Sequence, residues 1–252
     1  MVMLAMFTAM MGCAPADAAA PTFAAGAFPH EKFNVVLEKY VDAKGLVDFK
    51  GVQQDRAGLD EYVDLVSRYS PVKQADLFPT RQDQEAYYLN AYNALAIKGV
   101  IDRPGLKSVQ DSLVSFFVLT RYKLGGEKVS LKVLEDQLVR EGFKDPRVHF
   151  ALNCMSAGCP RFRAAAYTSV GLETELDDGA KEFCTNPAKV NVDTDGKTAH
   201  ISQIFEWFEG DFAASGGRVA FINAHGGAIP ADAKVEIIPY DWALAAQPGR
   251  GP

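Results

Sequence analysis

Cysteine, histidine and tryptophan are scarce in this chain, at four, four and two of 252 residues, so thiol or imidazole chemistry has few residues to draw on. Basic charge is in the minority as well. Lys and Arg number 26 against 32 Asp and Glu, for a formal net charge of −6, and the positive residues are scattered rather than striped. That pattern excludes the electrostatic footprint of a nucleic-acid binder. No apolar run is long enough to cross a bilayer as a helix. No Pro/Ser-rich linker or charge block divides the chain after about residue 30, and no repeat of solenoid spacing occurs. With 48% apolar residues, what remains is ample for one packed domain.

The N-terminus reads as a leader. Met1 to Met11 is uncharged and apolar, Gly12 and Cys13 follow, and small residues run from Ala16 to Ala20. Residues 1–20 are expected to be a signal peptide, cut after Ala18 or, on the competing reading, before a lipidated Cys13. A periplasmic or otherwise exported protein is expected, with membrane attachment only through a lipidated Cys13. Residues 21–30 read as a linker, 31–245 as the domain and 246–252 as a flexible tail. Export leaves Cys154, Cys159 and Cys184 in the mature domain, so at least one thiol stays unpaired in a monomer.

Periodicity supplies the elements. Residues 31–41 and 56–69 read as amphipathic helices, and the longest helix runs from about Gln82 to Asp102, where Pro104 and Gly105 end it. Asn90 and Asn93 lie on adjoining turns of that helix, with Glu85 about a turn earlier; buried asparagines need partners, so these either pin loops or orient a catalytic group. Hairpins are expected from Phe116 through Gly125-Gly126 to Val129, and from Lys189 through Asp195-Gly196 to Ile201. Asp193 and Asp195 lack the remaining ligand spacing of a calcium loop. Helices are expected from a Ser130 cap to about Glu141, over 170–183 and after Ser202, and a strand over Val235–Tyr240. The fold class is α+β: helices packed around a small, mainly antiparallel sheet in a single compact domain.

The densest chemistry lies between His149 and Pro160, where one imidazole and two thiols fall close together. Residues 147–154 alternate like a strand, which puts His149 and Cys154 on opposite faces. Pro160 suits the first position of a helix, which places Cys159 at an N-cap where the dipole, helped by Arg161 and Arg163, favours the thiolate. The bland readings stand beside this one. Cys154 can be a buried core thiol, or Cys154 and Cys159 can close a small disulfide loop. His149, Cys154 and Cys159 supply at most three of the four ligands of a structural zinc site, so no metal or other cofactor is expected.

Several blocks carry a resemblance. Tyr87 to Leu95 resembles the helix signature of the domain of unknown function 547 family. Val129 to Leu131 with Leu134-Glu135, Asp145 to Cys154 followed by Gly158-Cys159-Pro160, Ser202 to Phe208 with Asp211-Phe212, and Pro239 to Trp242 resemble its later blocks in order and spacing. The resemblance implies a single compact domain, often exported in bacteria, and names no catalytic residue. Two classes of function are therefore carried forward from the residues. The first is a thiol-dependent hydrolase or acyltransferase with Cys159 as nucleophile, His149 as base, and Glu85, Asn90 or Asn93 as the orienting group. Cys154, Ser156 and Arg161 stand at its substrate or oxyanion side, with the amides of Ser156 to Gly158 as oxyanion donors. The second is a redox module cycling Cys154 and Cys159, or a non-catalytic binding domain stapled by them. A small molecule or a peptide is the expected partner, and no nucleic acid.

Overall fold

The computed structural model describes residues 23–252; the leader expected over residues 1–20, with Cys13, lies outside the described residues. The chain runs α1 (Glu31–Tyr40), α2 (Phe49–Gln54), α3 (Ala57–Arg68), α4 (Arg81–Ile101), β1 (Tyr122–Leu124), β2 (Glu127–Val129), α5 (Leu131–Val133), α6 (Glu141–Phe143), α7 (Leu172–Thr185), β3 (Val190–Val192), β4 (Thr198–Ser202), α8 (Ile204–Trp207), α9 (Arg218–Ala224) and β5 (Lys234–Ile238). It is an α+β fold with two small, mostly antiparallel sheets.

Helix α4 is the axis. A reciprocal cap opens it, in which Thr80 accepts from the Asp83 amide and Asp83 accepts from the Thr80 amide. Of its 21 residues, 16 are buried, so it is enclosed on nearly every side rather than along one stripe. Helix α3 packs on α4, and α1 packs on α3 with Phe33 stacked on Tyr62; α1 buries Phe33, Val36, Leu37 and Tyr40, and α3 buries Leu59, Tyr62, Leu65 and Val66, the spacing that places side chains on one helical face. These elements form the larger of two hydrophobic cores. Phe28, expected in a linker, is buried in it, and His30 Nδ1 lies 2.9 Å from the Tyr62 hydroxyl.

The smaller core gathers Phe183 of α7, Ala199 and Ile201 of β4, Phe205 of α8, and Phe212, Phe221 and Ile222. Its sheet runs β3-β4-β5, with β3 antiparallel to β4 and β5 parallel to it, Ile201 facing Ile237. Helices α8 and α9 make the crossover that a parallel pair requires. The separate hairpin of β1 and β2 turns on Gly125 and Gly126, both with positive φ (56° and 89°), as a tight two-residue turn demands.

Residues 144–160 form the seam between the cores. The expected strand over 147–154 is instead a 3₁₀ helix, Pro146–Phe150, because Pro146 sits at its first turn and Asp145 caps the Arg147 amide at 2.9 Å. Its three-residue repeat sends Val148 into the larger core and Phe150 into the smaller one, which imitates strand alternation. The expected helix from Pro160 is absent: 160–170 is irregular, so no helix dipole acts on Cys159. Phe116, expected in a strand, belongs to a π-helical turn, Ser115–Leu119. A second π-helical stretch, Leu134–Arg140, joins α5 to α6.

Residues 239–247 run as a strap beside the seam. The strap carbonyls of Ala243 and Asp241 accept from the amides of Ala157 and Gly158 at 2.7 Å each, and the Ala245 amide donates to Met155. Beyond it, residues expected as a tail are tied down: Gln247 donates to Val47, Arg250 pairs with Asp48, and the Pro252 carbonyl accepts from Gly105.

Two asparagines of α4 hold irregular segments to the axis. Asn90 donates to the Tyr167 carbonyl at 2.8 Å and accepts from its amide at 2.9 Å. Asn93 does the same to the seam, donating to Ala151 at 3.0 Å and accepting from the Asn153 amide at 2.9 Å. Substituting Asn93→Ala would leave buried backbone groups unpaired, and urea denaturation is expected to show a loss of about 2 kcal/mol; a loss within error of zero would contradict this role.

Candidate active site

Asn153 passes the order set by Asn93 into the thiol loop. Its side chain donates to the Pro160 carbonyl at 2.8 Å and accepts from the Met155 amide at 2.8 Å, so both ends of the loop are tied to one residue. Met155 is held at φ 69°, a left-handed conformation rare outside glycine and asparagine. The loop folds back on itself. Cys154 and Cys159 Sγ lie 3.1 Å apart as free thiols.

Cys159 is the better-supported thiolate of the two. Its sulfur accepts the Cys154 amide at 3.1 Å, a donor that cannot reorient, and stands 3.0 Å from the Tyr240 hydroxyl. The Cys154 thiol has no backbone donor; it stands 3.1 Å from Tyr240 and 3.4 Å from Ser156 Oγ. Burial pushes the Cys159 thiol up, but hydrogen bonds from Cys154, from Tyr240 and from the backbone outweigh it and bring it down to about 7. Cys154 moves well up, chiefly because its proton is held by Cys159. Tyr240 stays protonated, its own value raised by burial and by the neighbouring sulfurs. Tilted and edge-on aromatic contacts fix its ring. Trp207 and Trp242 pack on it at centroid distances of 4.9 and 4.6 Å. Gly158 lies beneath, where a Cβ would come within 2.6 Å of the ring.

The thiols lie in a cleft of about 480 Å³ between the two cores. His149 also lines it but makes no hydrogen bond to either sulfur. Its Nε2 lies 2.8 Å from Asp211 Oδ2, and its ring stacks on Phe208 at 4.0 Å. Arg140 forks onto both oxygens of Asp211 at 2.7 and 3.1 Å. Burial lowers the pKa of His149, so at neutral pH the imidazole is uncharged and donates Nε2–H, while Asp211 is held low by His149 and then by Arg140. Farther along the wall, Glu135 accepts from the Tyr92 hydroxyl at 2.9 Å, and burial raises its pKa.

The structure thus gathers His149, Cys154, Ser156 and Cys159 in one neighbourhood and leaves the other candidates outside. Asn90 and Asn93 are the loop pins described above. Arg161 points to α7, where Glu182 receives its guanidinium at 2.5 and 2.8 Å. Glu85 is buried in α4 away from the cleft, with one oxygen unpartnered. The amides of Ala157 and Gly158, expected as oxyanion donors, are committed to the strap, and that of Cys159 to the Ser156 carbonyl. Cys184 is buried in α7, its thiol pushed up to about 12 by burial. Sequence reasoning did not single out Tyr240, Asp211, Arg140, Glu135 or Phe208. A signal existed, because each of the five quoted blocks contributes a residue: Tyr92, Glu135, the His149 to Cys159 group, Asp211 and Tyr240.

Residues 78–184 match the family described as "Protein of unknown function, DUF547", which supports the resemblance and spans Tyr92, Glu135, His149 and both cleft cysteines. Trp207, Asp211 and Tyr240 lie beyond the matched segment. No curated protein and no solved structure matches the chain.

Two measurements follow from this chemistry. The alkylation rate of Cys159 should rise with pH through a midpoint near 7. In Tyr240→Phe that midpoint should move up by about one unit, the worth of a hydrogen bond to a charged acceptor; an unmoved midpoint would show that Tyr240 does not stabilise the thiolate. Glu85 gives the opposite sign. Burial, then repulsion from Asp145, raises its pKa to about 7. The folded protein therefore keeps that proton where the unfolded chain has lost it, and stability falls as pH rises from the ordinary carboxylate range through 7. Relative to the parent, Glu85→Gln should gain about 2 kcal/mol at pH 8 and nothing at pH 4; equal effects at both pH values would exclude the buried-acid explanation.

Proposed function

We propose that this protein is a thiol–disulfide exchange enzyme in which Cys159 attacks and Cys154 resolves. The single observation carrying this reading is the pair of free sulfurs in contact at 3.1 Å, one of them also accepting a backbone amide. A hydrolase has no use for a second thiol touching its nucleophile, since that thiol gives any disulfide formed on the nucleophile an intramolecular exit. The commitment of the Ala157 and Gly158 amides to the strap points the same way, because it removes two of the three donors expected for an oxyanion.

In the reducing direction, the Cys159 thiolate attacks one sulfur of a substrate disulfide. A Cys159–substrate disulfide forms, the substrate S–S bond breaks, and the other substrate sulfur leaves as a thiolate. Cys154 then loses its proton to a departing thiolate and attacks Cys159 Sγ. The Cys154–Cys159 disulfide forms and the second substrate sulfur leaves, so two electrons pass from protein to substrate. The oxidised pair runs the same steps backwards on a substrate dithiol. Tyr240 favours Cys159 as attacking and as leaving sulfur, since both require its thiolate. This reading is consistent with the export expected from residues 1–20, where thiol pairs exchange with an oxidising surround.

A second reading is favoured by the His149 and Asp211 pair, which lines the same cleft as Cys159 and has the form of an oriented base. It requires a substrate to bridge imidazole and thiolate, which are not in contact here.

Trapping separates the two. With a small disulfide at neutral pH, Cys154→Ser should accumulate a stable mixed disulfide located at Cys159, whereas Cys159→Ser should form at most about a hundredth as much, as expected when thiolate character is lost. Equal trapping in both variants, or none, would remove the exchange reading. Adding His149→Ala to Cys154→Ser should leave trapping unchanged under exchange chemistry and abolish it under the second reading.

A further inference from the structure

Exposed apolar side chains are unevenly placed on this molecule. Among the described residues, Val114, Leu119 and Trp207 are exposed by 60%, 65% and 43%, and with Leu113 and Val118 they make up five of the eight large exposed hydrophobics. Four of the five line the cleft, and Leu119 closes the turn that carries Val118. Apolar surface concentrated at the mouth of a reactive cleft marks an interaction site.

The segment is held in place rather than loose. Phe116 is fully buried under the Arg103 guanidinium, which lies 5.2 Å from its ring centroid. Arg103 also donates to the Gly99 carbonyl at 2.6 Å and to Thr120 Oγ1 at 2.8 Å, and Thr120 donates to the Ser115 carbonyl at 2.6 Å. One apolar side of the turn is used by the core, and the other is exposed among the described residues.

We propose that this rim docks an extended, unfolded stretch of a cysteine-bearing polypeptide and presents its sulfur to Cys159; this rests on the exchange reading given above. Chemistry narrows the occupant. Cys159 is only 7% exposed at the cleft floor, out of reach of a cystine packed inside a folded partner. A small polar disulfide would reach the floor but leave the rim uncovered. A lipid would cover the rim but bring no sulfur to the floor. The charges at the mouth are paired, Lys132 with Asp136 and Arg140 with Asp211, so the site selects for apolar surface rather than for charge. An unfolded segment alone offers both exposed apolar side chains and an accessible sulfur.

The test uses the full chain and three probes: two synthetic peptides of equal length, each with one cysteine in a mixed disulfide, flanked by Leu, Val and Phe in one and by Ser and Gly in the other, and a small polar disulfide. The apolar peptide should react about tenfold faster than the polar one, the worth of burying a side chain of Val or Leu size, and the double substitution Val114→Ser with Leu119→Ser should bring that ratio to about one. Rates normalised to the small disulfide remove any effect on the thiols. Equal peptide rates in the parent, or a preference that survives the double substitution, would overturn the proposal. If no probe reacts, the exchange reading fails. Binding of the apolar peptide with Ser in place of Cys, read by tryptophan fluorescence and lost in the double variant, would then still support docking, and its absence would overturn it. Partition onto neutral phosphatidylcholine vesicles without discrimination between the peptides would assign the rim to a lipid surface and overturn the proposal.

Discussion

One chain of buried hydrogen bonds fixes everything at the site. Asn93, on the enclosed face of α4, takes both backbone partners from Ala151 and Asn153, and Asn153 then clamps Met155 and Pro160. A buried amide side chain left unpaired is expensive, so the loop has little freedom to open once the cores have closed. That constraint absorbs the left-handed backbone at Met155 and brings together two sulfurs five positions apart in sequence. The strap then lays Tyr240 across both of them from 81 residues beyond Cys159. Packing of the two cores thus sets the chemistry of a pair that neither core contains.

Electrostatics divides the cleft into two working parts. Around the thiols, fixed neutral donors shift the proton balance without a formal positive charge in hydrogen-bond contact with sulfur. Lys189 adds a general bias, since its ammonium donates to the carbonyls of Ala157 and Gly158 and feels the charge on Cys159. On the far wall, Arg140 and Asp211 neutralise each other and hold His149 in one orientation. In the proposed exchange, an imidazole kept neutral and unattached to sulfur leaves the thiolate free to meet a substrate directly. The apolar mouth completes this arrangement, because a desolvated approach strengthens the few hydrogen bonds at the floor.

Much of the framework was legible in the sequence because it follows local rules. The helices over 31–40 and 57–68 declare themselves by one-faced spacing, that over 81–101 by apolar residues recurring at helical spacing and by Pro104 beyond its end, and the hairpin at Gly125-Gly126 by its turn residues. The requirement that Asn90 and Asn93 find partners was also readable, and loop pinning is how it is met. The seam was misread for a definable reason: Pro146 and the Asp145 cap start a 3₁₀ turn whose residues serve two different cores, and alternation of burial between cores looks like alternation between strand faces. With that strand and the helix after Pro160 gone, activation of Cys159 passes from a dipole to individual donors. Tyr240 and Asp211 were not legible as partners, because no local rule spans the 81 and 62 residues that separate them from Cys159 and His149. Their presence in the family-like blocks was the only pointer.

Exchange requires that Cys154 and Cys159 interconvert between dithiol and disulfide. The most direct measurement is the midpoint potential of this pair in the purified protein, from thiol–disulfide redox buffers with the oxidised fraction read by mass after alkylation. A value within the range of exchange catalysts, about −270 to −120 mV, is the expected result. A value below about −300 mV would mark a structural staple, and failure to form the disulfide at any poise would leave two independent thiols; either would contradict exchange.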